Sequence, residues 1–141
     1  MVEVFVLNCA VIALVVVIHY EFLRRFTLLM PKLKIRHRLR LVFGVFGSLA
    51  AHTLEVWVFG IVYYYLDRAT GWGSLAGSYD GELLSAVYFS FTAYTTLGLG
   101  DVLPHGDLRF LVGLESLAGF VLITWTASFL YLEMTRYWDS D

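Results

Sequence analysis

Three long apolar runs, Val2 to Leu23, Leu41 to Leu66 and Leu108 to Met134, limit this chain to very few folds. Each is long enough to cross a hydrocarbon core of about 30 Å at about 1.5 Å per helical residue. Lipid offers no hydrogen bonds, so each crossing segment must satisfy its backbone internally, as a helix does. The expected class is therefore an all-α membrane protein with three transmembrane helices. The composition agrees: 59% of the 141 residues are hydrophobic and 16% are charged, too apolar for an ordinary soluble domain. The first run has neither the basic start nor the small-residue cleavage site of a signal peptide, and it is expected to be retained.

The charge pattern orients the spans. The formal charge is only -2, yet seven of the ten basic residues (Arg24, Arg25, Lys32, Lys34, Arg36, Arg38 and Arg40) fall in one connection. Such a cluster beside apolar helices reads as a cytoplasmic connection rather than a nucleic-acid surface, and no nucleic-acid partner is expected. Each Lys or Arg near anionic lipid heads contributes about 1 kcal/mol. Arg24 and Arg25 are expected to close the first helix, with Pro31 beyond them. The amino terminus then lies outside, and Arg136 marks a cytoplasmic carboxyl terminus. Tyr63, Tyr64 and Tyr65 suit an aromatic belt at the far interface. Beyond them, Asp67 to Gly81, rich in glycine and polar residues, reads as an extracellular turret rather than a span. The lone Cys9 is expected to be a small buried hydrophobe.

Glu82 to Thr95 is apolar and aromatic but too short to span, which fits a re-entrant helix packed among others at membrane depth. Glu82 complements the positive end of its dipole, and the negative end favours a cation. Thr95 to Asp101 (TTLGLGD) follows, with glycines at alternate positions 98 and 100. Glycine takes left-handed dihedrals at little steric cost, so a stretch of this kind can hold its carbonyls on one side, where they replace the water around a cation. Asp101 to Asp107, with Pro104 and Gly106, is expected to return to the outer surface.

Thr96, Leu97, Gly98, Leu99, Gly100 and Asp101, preceded by Thr95, Tyr88 and Phe89, resemble the pore loop of tetrameric potassium channels, T-x-G-[YFL]-G-D. The stretch from Glu82 to about Tyr131 is similar to small bacterial ion channels with one pore loop. This resemblance implies a homotetramer around a central pore. Residues 41–141 form its pore module: outer helix 41–66, turret 67–81, pore helix 82–95, filter 96–101 and inner helix 108–134. Residues 1–40 add a first helix and the basic connection. Potassium would be held by the carbonyls of Thr96, Leu97, Gly98 and Leu99 with the Thr96 hydroxyl, and conducted passively. No cofactor is implied beyond the permeant ion. The implied partners are further copies of the chain, membrane lipid and potassium ions, and the implied location is the plasma (inner) membrane.

The same resemblance leaves choices open. Asp101 either forms a carboxylate ring at the outer mouth or braces the loop through a hydrogen bond to the pore helix. Leu99 stands where the family usually has a bracing aromatic, so support must come from neighbours such as Tyr88, Phe89, Tyr94 and Glu115; a weakly selective cation channel is the alternative. Gly119 aligns with the glycine at which inner helices bend, and is either a gating hinge or a point of close packing alongside Ser116 and Ser128. Phe120, Ile123, Thr124, Ala127 and Tyr131 share a helical face expected to line the cavity and an inner gate that closes by dewetting.

Three polar residues fall inside the spans. His52 and Glu55 are three apart on one face of the second helix, and Glu115 lies on the third at a depth expected to be similar to that of Glu55. If the two carboxyls meet, one must be protonated. The cluster reads as structural hydrogen bonding, as a pH-dependent gate, or as half of a metal site. His19 is expected near the cytoplasmic end of the first helix, about one turn from Arg24, and so not to share an ion with mid-membrane His52. A nonconducting membrane sensor built on this cluster is the reading from another class. No nucleophile–base–oxyanion set, phosphate loop or cysteine cluster is legible, so no enzyme is expected. Neither an arginine-repeat voltage sensor nor a nucleotide-binding domain is legible.

Overall fold

The computed structural model describes residues 2–32 and 37–138. Four helices carry the fold: α1 (Val2–Leu29), α2 (His37–Arg68), the short α3 (Leu83–Tyr94) and α4 (Leu108–Trp138). Three of them hold segments long and apolar enough to cross a membrane, Val2–Leu29, Leu39–Arg68 and Leu108–Arg136. No more than 33% of any of these apolar windows is buried inside the chain. The remaining apolar surface faces lipid or further protein.

The helices run past their sequence-based limits. Arg24 and Arg25 do not close α1, because both point outward and pair with Glu21 at 3.2 and 3.4 Å, one helical turn away. Charged side chains of this kind support an exposed helical turn instead of breaking it. The helix ends only at a 3-10 turn over Met30–Lys32, which contains Pro31. The connection is shorter than expected for the same reason, since α2 already begins at His37. Lys34 and Arg36 lie outside the described residues. Cys9, expected to be buried, is exposed.

Each long helix turns one stripe inward. On α1 the buried residues are Asn8, Val11, Val15, His19, Leu23 and Phe26, spaced by three or four. On α4 the buried stripe includes Leu108, Leu111, Glu115, Leu122 and Thr126. α3 packs against both α2 and α4, which also touch one another, and α1 packs against the same pair. Apolar burial supplies little drive between helices in lipid, so close fit must supply it. Gly60 provides such a fit on α2: a Cβ there would sit 2.8 Å from the Val87 backbone of α3.

The turret and the return segment each contribute one short strand. β1 (Ser74–Gly77) and β2 (Val102–His105) pair antiparallel, with Ser74 opposite His105 and Gly77 opposite Val102. Asp67 Oδ1 accepts from Leu75 N at 2.8 Å, and Trp72 O accepts from Leu108 N at 3.1 Å. The ladder therefore fastens the end of α2 to the start of α4, across the loop that follows α3.

Candidate functional site

The loop after α3 has the backbone that its glycines suggested. Thr96, Gly98 and Gly100 adopt φ values of 57°, 53° and 78°, whereas no other non-glycine among the described residues has positive φ. Left-handed dihedrals thus alternate with ordinary ones at Leu97 and Leu99. Threonine is β-branched, and its left-handed conformation is a true outlier. The loop is tied to the end of α3, with Thr96 N donating to Ala93 O and Gly98 N donating to Thr92 O, each at 3.0 Å. From Thr95 to Gly100 every residue is exposed, Leu97 by 63% and Leu99 by 58%.

Asp101 is braced. The Tyr88 hydroxyl donates to Asp101 Oδ2 at 2.8 Å, and Asp101 O accepts from Ser78 N at 2.8 Å. Within the chain, Asp101 makes the hydrogen bond to the short helix, through Tyr88 of α3. The other two aromatics expected to support the loop act one step back. Phe89 packs edge-on against Tyr63 at 5.2 Å, and Tyr94 reaches away from the loop to Glu55.

Gly119 marks a close approach. A Cβ there would collide with the carbonyl oxygen of Tyr94, the last residue of α3, and would lie 3.0 Å from its ring. Beside it, Ser116 Oγ donates to Ala93 O at 2.9 Å. α4 passes through Gly119 without interruption. Phe120, Ile123, Thr124, Ala127 and Tyr131 are all exposed, on a face turned away from the other helices of the chain.

The buried polar residues divide differently from the expected His52–Glu55–Glu115 cluster. Glu115 is bonded elsewhere: Tyr63 donates to its Oε2 and Ser90 to its Oε1, each at 2.5 Å. Ser90 Oγ is also 2.9 Å from the Val56 carbonyl. Glu55 instead faces His19, whose Nδ1 lies 2.9 Å from Oε1, and His52, whose Nδ1 lies 3.0 Å from Oε2. Tyr94 donates to the same Oε2. The expected separation of His19 from His52 is thus overturned, and their rings stack at 5.3 Å. The cause is the length of α1: with its end at Leu29, His19 sits about 15 Å inside that end at 1.5 Å per residue.

Thr126 on α4 completes this group. Its hydroxyl lies 3.1 Å from His52 Nε2 and 3.3 Å from His19 Nε2. Both Nδ1 atoms face the Glu55 carboxyl. A hydroxyl has one hydrogen and can serve only one of the two Nε2 atoms as donor. Trp125 covers His19 at 5.3 Å. His19 and Thr126 were missed as partners, although His19 lies in register on the three-and-four stripe of α1.

Three apolar spanning helices, a short fourth helix and a strained loop hung from its end define an integral membrane protein of the channel class. Residues 51–136 match the family described as "Ion channel", and the chain belongs to that family. No curated protein and no solved structure matches it. α1 lies outside the matched residues, so Glu55, His52, Tyr94 and Thr126 come from the family module and His19 from the helix added to it.

Proposed function

We propose that this ion channel is a potassium-selective homotetramer in the plasma membrane, conducting passively through rings of carbonyls from Thr96, Leu97, Gly98 and Leu99 with the Thr96 hydroxyl. The observation that carries this reading is the left-handed Thr96, with Gly98 and Gly100 repeating its hand at every second residue. Backbone strain of this kind costs roughly 1–3 kcal/mol and persists where the surroundings or function require it. Alternation of hand cancels the usual alternation of carbonyl direction along an extended chain, so successive oxygens share one side. Four such loops around an axis would replace the hydration shell of a dehydrated cation.

The bare loop and the exposed face of α4 support the tetramer, because a lone subunit leaves both unpartnered. In this assembly Phe120, Ile123, Thr124, Ala127 and Tyr131 line the path below the filter. The basic connection lies in the cytoplasm, with the amino terminus outside. Leu99, exposed in its own chain, favours one second reading: a cation channel that distinguishes potassium from sodium weakly.

Ion flux through proteoliposomes tests the reading. Potassium flux should be present in wild type and lost in Gly98→Ala, which places a side chain at a left-handed position. Flux indifferent to that substitution would sink the filter. A reversal potential near zero in a potassium/sodium gradient would leave only the weakly selective channel.

A further inference from the structure

His19, His52 and Glu55 form the group, among the described residues, that offers three metal-ligand atoms within 4.8 Å of one another. We propose that they bind one divalent transition-metal ion, with Zn²⁺ as the fitting example, and that this ion ties α1 to the pore module. Two imidazoles and one carboxylate are the donor types that Zn²⁺ takes, at about 2.0–2.2 Å. Tetrahedral bonds of that length place donor atoms about 3.3 Å apart. The observed separations of 2.9 Å for His19–Glu55 and 3.0 Å for His52–Glu55 need only a small spread to admit an ion.

A fourth donor is in place. The Tyr94 hydroxyl lies 2.9 Å from His52 Nδ1 and bonds the same carboxylate, and Thr126 sits on the far side of both rings. These partners fix the ring orientations, as hydrogen bonds behind metal ligands do. The side chains of His19 and Glu55 are 1% and 0% exposed, while His52 keeps 15%, which leaves the group one opening. The atoms that ligate a divalent ion must give up any proton they carry, so binding releases protons.

The test uses the full-length chain in detergent, stripped with a chelator. The sequence has four histidines and one cysteine, so Cys9→Ser, His37→Gln and His105→Gln together leave His19 and His52 as the only imidazoles. Calorimetric titration of this background variant with Zn²⁺ should saturate at one ion per chain. Titration in two buffers of different ionisation enthalpy should register proton release. Co²⁺ in its place should give the visible absorption of a four-coordinate site. Adding His19→Gln or His52→Gln should weaken Zn²⁺ binding by about 10-fold or more, since even outer partners of metal ligands are worth about 10–100-fold.

Absence of saturable one-per-chain binding in the folded background variant overturns the site. Equal affinity after both substitutions overturns it as well. Should either substitution prevent folding, the stoichiometry and the Co²⁺ spectrum of the background variant decide alone. None of these readouts depends on ion conduction.

Discussion

At Gly119 a single hydrogen atom decides how α4 meets α3. The Tyr94 carbonyl occupies the space that a Cβ would fill, so Gly119→Ala must push the two helices apart. Overpacking of this kind costs about 1–3 kcal/mol. A glycine whose purpose was only bending would behave oppositely, because alanine favours helix by about 1 kcal/mol. Thermal unfolding in detergent separates the two: a lowered midpoint is expected, and a raised one would return Gly119 to the role of a free hinge. The glycine itself was legible from its alignment, but the carbonyl opposite it was not, because nothing local in the sequence reports which atom of another helix lies within reach.

The scale of elements is set by polar pins between helices. Glu115 on α4 takes one hydrogen bond from Tyr63 on α2 and one from Ser90 on α3, so one carboxyl joins three helices. A typical hydrogen bond contributes about 0.5–1.5 kcal/mol, and removing one partner leaves a buried oxygen unsatisfied at a cost of about 1–3 kcal/mol. Tyr63→Phe and Ser90→Ala should each lower stability by about 1–3 kcal/mol. Because they share one acceptor, their effects should not add, with a coupling of about 0.5–3 kcal/mol in a double-mutant cycle. Strict additivity would show that the two bonds are independent of one another. The sequence revealed that Glu115 needed a partner, since an ionisable group at membrane depth is costly. It pointed to Glu55, because similar depth says nothing about which way a side chain faces.

For the whole molecule, the large exposed apolar residues and the bare loop belong to one account. Leu97, Leu99, Phe120, Ile123 and Tyr131 are exposed together with the strained backbone at Thr96. The proposed assembly covers them around a four-fold axis, and native mass spectrometry should find four copies of the 16.0 kDa chain. A monomer or dimer that still conducts would refute this arrangement. In the same preparation, reconstituted in the orientation found in cells, an impermeant thiol reagent should label Ser78→Cys from outside and leave Lys32→Cys untouched. Sequence alone determined the three spans, the short helix and the special backbone of TTLGLGD, because these depend on segment length, hydropathy and the local steric freedom of glycine. Only the tertiary structure decided that Asp101 is held by Tyr88, that two short strands clasp the loop, and that His19 joins His52 and Glu55. Those facts depend on helix ends and on the rotation of each helix about its own axis, which a few residues' error in an end changes by full turns.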